Sequence, residues 1–339
     1  MKQVKQILII HQGAIGDFIL SLPAIGAFRF HYPHATITIW GHPEILRLVH
    51  NRFYADTIAS LEQPGLALFY SEQGFASSPL TERFNSFDLI GVFGGEQQAI
   101  FIDNLTKTGA GDVCHISTFP PHDAKTHVID FQATQMSRLG LTVHETVPRL
   151  FVSEADERNA ARFLEQKGLN KKALSVVLHP GSGSRKKAWK VNSFVPLAEK
   201  LYRDDRAQIL VPIGPADTQA EEDYFNDSSS GSSIPLHNLP LDELAAIIKQ
   251  CVLYVGNDSG ITHLAAAVGT PVVALFGPTD PRVWGTRGKH VKILHGKTDC
   301  SPCSRGKMQM CPEQRCMETL SVEEVYREAQ KMVQGINDA

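Results

Sequence analysis

Gln6-Ile7-Leu8-Ile9-Ile10-His11-Gln12-Gly13-Ala14-Ile15-Gly16-Asp17 is the stretch whose reading decides the fold. Its apolar run is too short for a helix of ordinary length, and it reads as a buried strand from Gln6 to His11. Gly13 to Gly16 reads as a turn. Asp17 to Phe30 reads as a helix in which Pro23 is tolerated only near the beginning. A buried strand that passes through a glycine turn into a helix is the opening of a strand-helix unit packed on a parallel sheet. The alternation continues outward. ATITIW (Ala35 to Trp40) reads as a second strand, and FDLIGVF (Phe87 to Phe93) as another that enters a Gly94-Gly95 turn. Val128 to Leu139 reads as a helix stopped by Gly140 in the left-handed conformation.

From Thr142 to Ser153 the periodicity lapses around Pro148, which marks a linker. Ser153 then caps a helix running to Gly168. A second alternating series follows: strands Leu174 to His179, Gln208 to Ile213, Val252 to Val255 and Val272 to Phe276, with helices Ser193 to Arg203 and Ile261 to Val268. The expectation is an α/β protein of two doubly wound domains, residues 1–150 and 151–320, closed by a helix within 321–339. The length of 339 residues is a prior for the same number of domains.

Composition narrows the function classes. With 42% hydrophobic and 20% charged residues the chain is an ordinary globular one. Its 33 Lys and Arg against 36 Asp and Glu leave a formal charge of -3, so no global positive field would hold nucleic acid, and none is expected as a partner. MKQVKQILII imitates a leader peptide, but His11, Gln12 and Asp17 interrupt it before an apolar core is complete. No stretch approaches 18 apolar residues, so membrane contact would be peripheral. Cys114 and Cys251 lie alone in apolar surroundings, which fits buried thiols in a reducing compartment.

Three segments could carry chemistry. Gly13 to Asp17 stands where open α/β sheets place their ligand crevice. It is not a dinucleotide fingerprint, because Ile15 occupies the middle glycine's place, and the phosphate-loop pattern G-x-x-x-x-G-K-S/T is absent from the chain. Asp17 is either a carboxylate favoured at a helix start or a general base. His179-Pro180-Gly181-Ser182-Gly183-Ser184 follows a strand and leads into Arg185, Lys186, Lys187, Trp189 and Lys190. Small residues let backbone amides approach an oxyanion, and a nearby lysine can hold diphosphate without a metal. A solvated basic loop is the plainer alternative. Tyr254-Val255-Gly256-Asn257-Asp258-Ser259-Gly260 joins a strand to a helix with Thr262 and His263 in its first turn. Hydroxyls and amides there suit phosphate or ribose, with helix capping by Asp258 as the competitor. A hydrolase elbow, G-x-S-x-G, would need Ser where Asp258 stands. Gly277 to Pro281 ends the next strand in a similar way.

Cys300-x2-Cys303-x7-Cys311-x4-Cys316 places four thiols within 17 residues. A structural zinc is one reading, and reduced or disulfide-paired loop cysteines are the other. No strict Asp-x-Asp occurs, which removes the simplest carboxylate pair for holding a divalent ion against a sugar nucleotide.

Taken together, GAIGDFILSLPAI (13–25), LHPGSGSRKKAWKVNSFVPLAEKL (178–201) and YVGNDSGITHLAAAVGTPVVALFGPTDP (254–281) resemble glycosyltransferase family 9, the ADP-heptose:lipopolysaccharide heptosyltransferases. The likeness covers nearly the whole chain in order, and the CSPC...CM segment is similar to many members. Asn51 to Gly74 and His115 to Ala124 match least, where acceptor-reading loops would be expected. The resemblance implies a GT-B fold, two Rossmann-like domains facing a cleft, with the last helix crossing back onto the first. It implies inverting, metal-independent heptose transfer from ADP-L-glycero-D-manno-heptose to the lipopolysaccharide inner core, with no cofactor required.

In that likeness Asp17 is the general base, on an acceptor-side loop with Gly13 and Gly16. Lys187 matches the phosphate-binding lysine, assisted by Ser182 and Ser184. Asp258, Ser259, Gly260 and His263 match the nucleotide-sugar loop. Asp217 lies near the acidic ribose position, with Glu221 and Glu222 also candidates. A lipid-linked acceptor would place the work in the cytoplasm, at the inner face of the inner membrane. A GT-B-like nucleotide-sugar epimerase and a non-catalytic nucleotide-binding protein are the alternatives.

Overall fold

The structure is a computed structural model that describes residues 3–71, 75–121, 124–170, 173–215 and 233–337. The chain divides into two units, Met1–Phe151 and Val152–Ala339, so the boundary falls inside the aperiodic segment around Pro148.

The first unit is built on strand β1, Gln6–His11. Ile7, Leu8, Ile9 and Ile10 have no solvent exposure, because β1 is the middle of a parallel sheet covered on both faces. It pairs with β2 (Thr36–Gly41) on one side and β4 (Leu89–Gly94) on the other. The outer strands are β3 (Thr57–Ser60) and β5 (Asp112–Ser117), giving the order β3-β2-β1-β4-β5. Leu8, Ile10, Trp40, Phe69, Phe84 and Phe101 form the core on one face. The helix Ile15–His31 packs closely on the sheet: a Cβ on Gly91 would lie 2.9 Å from the Phe28 ring. Pro23 is the ninth of that helix's 17 residues, not an early one as the sequence suggested. The helix is buried over Phe18–Phe28, and packing on both sides outweighs the lost backbone hydrogen bond.

The second unit repeats the plan. Strands β6 (Ser175–His179), β7 (Gln208–Ile213), β8 (Ser233–His237), β9 (Leu253–Asn257), β10 (Val272–Phe276) and β11 (Val291–His295) form a parallel sheet ordered β11-β10-β9-β6-β7-β8. The helix Val191–Asp205 packs beside the closing helix Val322–Asn337, and Val325, Tyr326 and Ala329 enter the core with Val176, Val255 and Leu275. The sequence reading sends the closing helix back to the first domain; the contacts that bury these three residues are made in the second unit. Among the described residues no helix is long and apolar enough to cross a membrane.

In each sheet the chain reverses its direction of strand addition at one point, between β1 and β4 and between β6 and β9. Loops leaving the carboxyl ends of two such neighbouring strands diverge to opposite faces and open a crevice, where α/β proteins bind their ligands.

Candidate functional site

At the reversal point of the second unit, β6 delivers His179 opposite Gly256 of β9. The loops that follow carry most of the residues expected from the sequence. Ser259, not Asp258, caps the helix Gly260–Ala267, its Oγ accepting from the Thr262 amide. Asp258 is thereby released for another partner: its carboxylate meets the Lys187 ammonium at 2.9 Å. The carboxylate side chain is 6% exposed and the lysine 27%, so the cation is the member of the pair that faces solvent. Ser182 Oγ donates to the Asp258 carbonyl at 3.2 Å, which joins the two loops. Ser184 Oγ accepts from the Lys186 amide and caps the short turn Arg185–Lys187. Lys186 itself turns away to the Cys311 carbonyl. Gly260 opens the helix and His263 is buried in its first turn.

Beneath these loops lies a buried polar floor. Tyr254 Oη is 3.0 Å from His179 Nδ1 and 3.2 Å from Thr262 Oγ1, and Ser259 Oγ is 3.5 Å from His179 Nδ1. Burial lowers the His179 pKa to about 4, so the ring is neutral at ordinary pH.

The first unit has a matching arrangement. Asp17 is the third residue of the helix Ile15–His31, whose cap position, Ala14, offers no side-chain hydrogen bond. Gly16 is in the same turn. A Cβ on Gly13 would lie 2.7 Å from both Asp17 Cβ and His11 Cε1, so only glycine lets the loop close against the carboxylate. His11 Nδ1 accepts from the Gly13 amide at 3.1 Å, which leaves the ring proton on Nε2, facing Ser21 Oγ at 3.2 Å. Ser21 in turn donates to the Asp17 carbonyl at 2.8 Å. Burial, with the charge of His42 nearby, lowers the His11 pKa to about 3.

Sequence reasoning missed a polar ring across this reversal point. Gln98 Nε2 donates to Gln12 Oε1 at 2.7 Å, Gln12 Nε2 donates to Tyr70 Oη, and Tyr70 Oη donates to Gln98 Oε1 at 3.3 Å. Tyr70 stacks on Phe101 with centroids 4.7 Å apart. No motif marks these residues; the one available signal was that Tyr70 falls in the poorly matching stretch Asn51 to Gly74.

The profile of glycosyltransferase family 9 (heptosyltransferase) matches residues 118–313. This chain belongs to glycosyltransferase family 9. It is 25% identical over 297 residues to lipopolysaccharide heptosyltransferase 3 of Escherichia coli strain K12, across 79% of this chain and 81% of that one. In shape it is similar to the glycosyl transferase family 9 protein from Veillonella parvula DSM 2008, with a TM-score of 0.80, 19% identity and 98% of each chain covered. The E. coli ADP-heptose lps heptosyltransferase II gives a TM-score of 0.74 at 18% identity, covering 98% of this chain and 99% of that one. The fold is therefore GT-B, built from two Rossmann-like units.

Two further readings of the sequence concern the acidic ribose position and the cysteine cluster of this family 9 enzyme. Asp217, with Glu221 and Glu222, lies outside the described residues. Cys300, Cys303, Cys311 and Cys316 do line one cavity of about 180 Å³. Yet among the described residues no three Cys, His, Asp or Glu side chains come together as a metal-holding group. Cys303 Sγ turns to the Cys300 carbonyl at 3.1 Å, Cys300 Sγ sits 3.3 Å from Thr298 Oγ1, and Cys316 is buried. The donor set as placed does not fit a zinc ion, one of the two readings of these residues, and all four are free thiols.

The two buried histidines predict an acid limit for the enzyme. Both fold-state pKa values lie below the ordinary 6.5, so the unfolded chain takes up protons first as the pH falls. Their contribution to stability is complete above pH 6.5 and is lost from there down towards pH 4 for His179 and pH 3 for His11. Each proton adds about 1.4 kcal/mol per pH unit to the slope. His179→Gln should flatten the pH dependence of thermal unfolding of the second unit by one proton between pH 6.5 and 4. Equal slopes in variant and wild type would mean that His179 is protonated in the folded enzyme.

Proposed function

We propose that this enzyme transfers L-glycero-D-manno-heptose from ADP-heptose to a hydroxyl of the lipopolysaccharide inner core, in one metal-independent displacement with inversion. The observation that carries the reading is the Lys187–Asp258 pair beside the start of the helix Gly260–Ala267, at the reversal point of the second sheet. A solvent-facing ammonium next to free amides at a helix start is a diphosphate site that needs no divalent ion.

In this reading the amides at Ser259 and Gly260 and the hydroxyls of Ser182 and Ser184 meet the ADP phosphates, and His263 lies with them on the donor side. Lys187 exchanges part of its contact with Asp258 for a diphosphate oxygen as the glycosidic C–O bond breaks, offsetting the charge that builds there. Asp17, on the loop with Gly13 and Gly16, takes the proton of the acceptor hydroxyl while its oxygen bonds to the anomeric carbon from the opposite side. The ring of Gln12, Tyr70 and Gln98 offers amides and an aromatic face, chemistry suited to sugar hydroxyls. The acceptor's lipid would bring the enzyme to the cytoplasmic face of the inner membrane. An acidic residue for the ribose, Asp217 in the family likeness, completes the donor assignment.

The test is ADP release from ADP-heptose by purified enzyme, with and without a panel of truncated lipopolysaccharide cores. Release that needs one particular core is expected. An isomerised nucleotide sugar with no net ADP would instead favour an epimerase. Tight ADP-heptose binding with no turnover on any core would favour a non-catalytic nucleotide-binding protein.

A further inference from the structure

Asn257 ends β9 and has no solvent exposure. Its Oδ1 accepts from the Trp189 amide at 2.8 Å, and its Nδ2 donates to the Pro180 carbonyl at 2.6 Å. Pro180 and Trp189 are the two ends of the loop that carries Ser182, Ser184 and Lys187. A single side chain on the neighbouring strand therefore ties down both ends of that loop. Only an amide supplies a donor and an acceptor side by side on so short a stem: an ionised carboxylate has no donor, and leucine has neither.

The ends are firm for further reasons. Trp189 Nε1 donates to the Leu320 carbonyl at 2.9 Å, and its ring meets Phe194 edge-on with centroids 5.0 Å apart. Pro180 continues directly from His179 at the end of β6. Asp258, the next residue after Asn257, holds the loop's Lys187. The Asn257-Asp258 pair thus sets both the span of the loop and the direction of its cation.

We propose that Asn257 is a positioning residue for the donor diphosphate, acting through the loop that presents Lys187 and touching no substrate atom itself. This rests on the donor reading of Lys187 given above. A bowed loop with fixed ends keeps its hydroxyls and ammonium in one arrangement, so that little ordering remains to be done when the anion binds. Releasing the ends lets the loop sample conformations in which Lys187 no longer faces the ligand.

ADP titration calorimetry on a double-mutant cycle tests this. Asn257→Leu and Lys187→Ala should each weaken ADP binding about tenfold, and the double variant should fall well short of the product of the two losses, because Asn257 acts in large part through Lys187. A role confined to general stability would make the two losses multiply. Amide exchange gives a readout that needs no ligand: the Trp189 amide should exchange faster in Asn257→Leu and stay protected in Asn257→Asp, which keeps the acceptor. Multiplying losses, or unchanged Trp189 exchange in the leucine variant, overturn the assignment. If wild type binds no ADP, the donor reading falls and the loop's assigned ligand with it; if wild type binds ADP and the losses multiply, only the role of Asn257 falls.

Discussion

Asp17→Asn should lower turnover by about 10²- to 10⁴-fold and leave ADP affinity within about twofold of wild type. The amide keeps the size of the carboxylate, so the close approach of Gly13 to the Asp17 Cβ is preserved and the loop has no reason to move. What disappears is the capacity to accept a proton, which in the proposed reaction is needed only as the acceptor oxygen attacks. An interaction used in the transition state alone lowers kcat and kcat/KM together and leaves donor binding intact. The groups assigned to ADP belong to the second unit and are unchanged. Steady-state ADP release with the productive core as acceptor, together with calorimetric ADP binding, checks both halves. Wild-type turnover in the variant would remove Asp17 from the mechanism.

Lys187→Ala should cost about 10²- to 10³-fold in kcat and should also weaken the donor. A second effect sets it apart from a pure loss of catalysis. The Asp258 side chain is 6% exposed, and removing the lysine strands its charge. Uncompensated buried charges cost up to about 3–5 kcal/mol, and the partial exposure of the lysine places this case at the lower end. Combining Lys187→Ala with Asp258→Asn should therefore recover most of the lost thermal stability and none of the activity. Activity returning along with stability would mean that Lys187 serves the fold and not the departing diphosphate.

The interior of both sheets was legible in the chain. The expected strands Gln6 to His11, Gln208 to Ile213 and Val272 to Phe276 coincide with β1, β7 and β10. Each is a run of apolar residues buried on both faces, a pattern carried by neighbours along the chain. β3, β5, β8 and β11 went unread. All four are the outermost strands of their sheets, half-exposed and interrupted by polar residues such as Asp112, His115 and Lys292, so no apolar run announces them. Glycine and serine after a strand end marked both loops of the candidate site in the second unit. The assignment of the cap was less legible: Asp258 and Ser259 are equally good helix starters by type, and burial of the carboxylate against Lys187 decided between them.

By itself the sequence determined an α/β chain of Rossmann-like, doubly wound sheets and the three loops that hold the reactive residue types. Strand periodicity and turn chemistry are local, so the chain states them directly. Only the tertiary structure decided which groups meet: Asp258 with Lys187, Asn257 with both ends of the lysine loop, and Gln12 with Tyr70 and Gln98. These partners lie tens of residues apart and come together because parallel strands are joined through crossovers. Residues adjacent across the reversal point are necessarily distant in the chain, and no local pattern records that they touch.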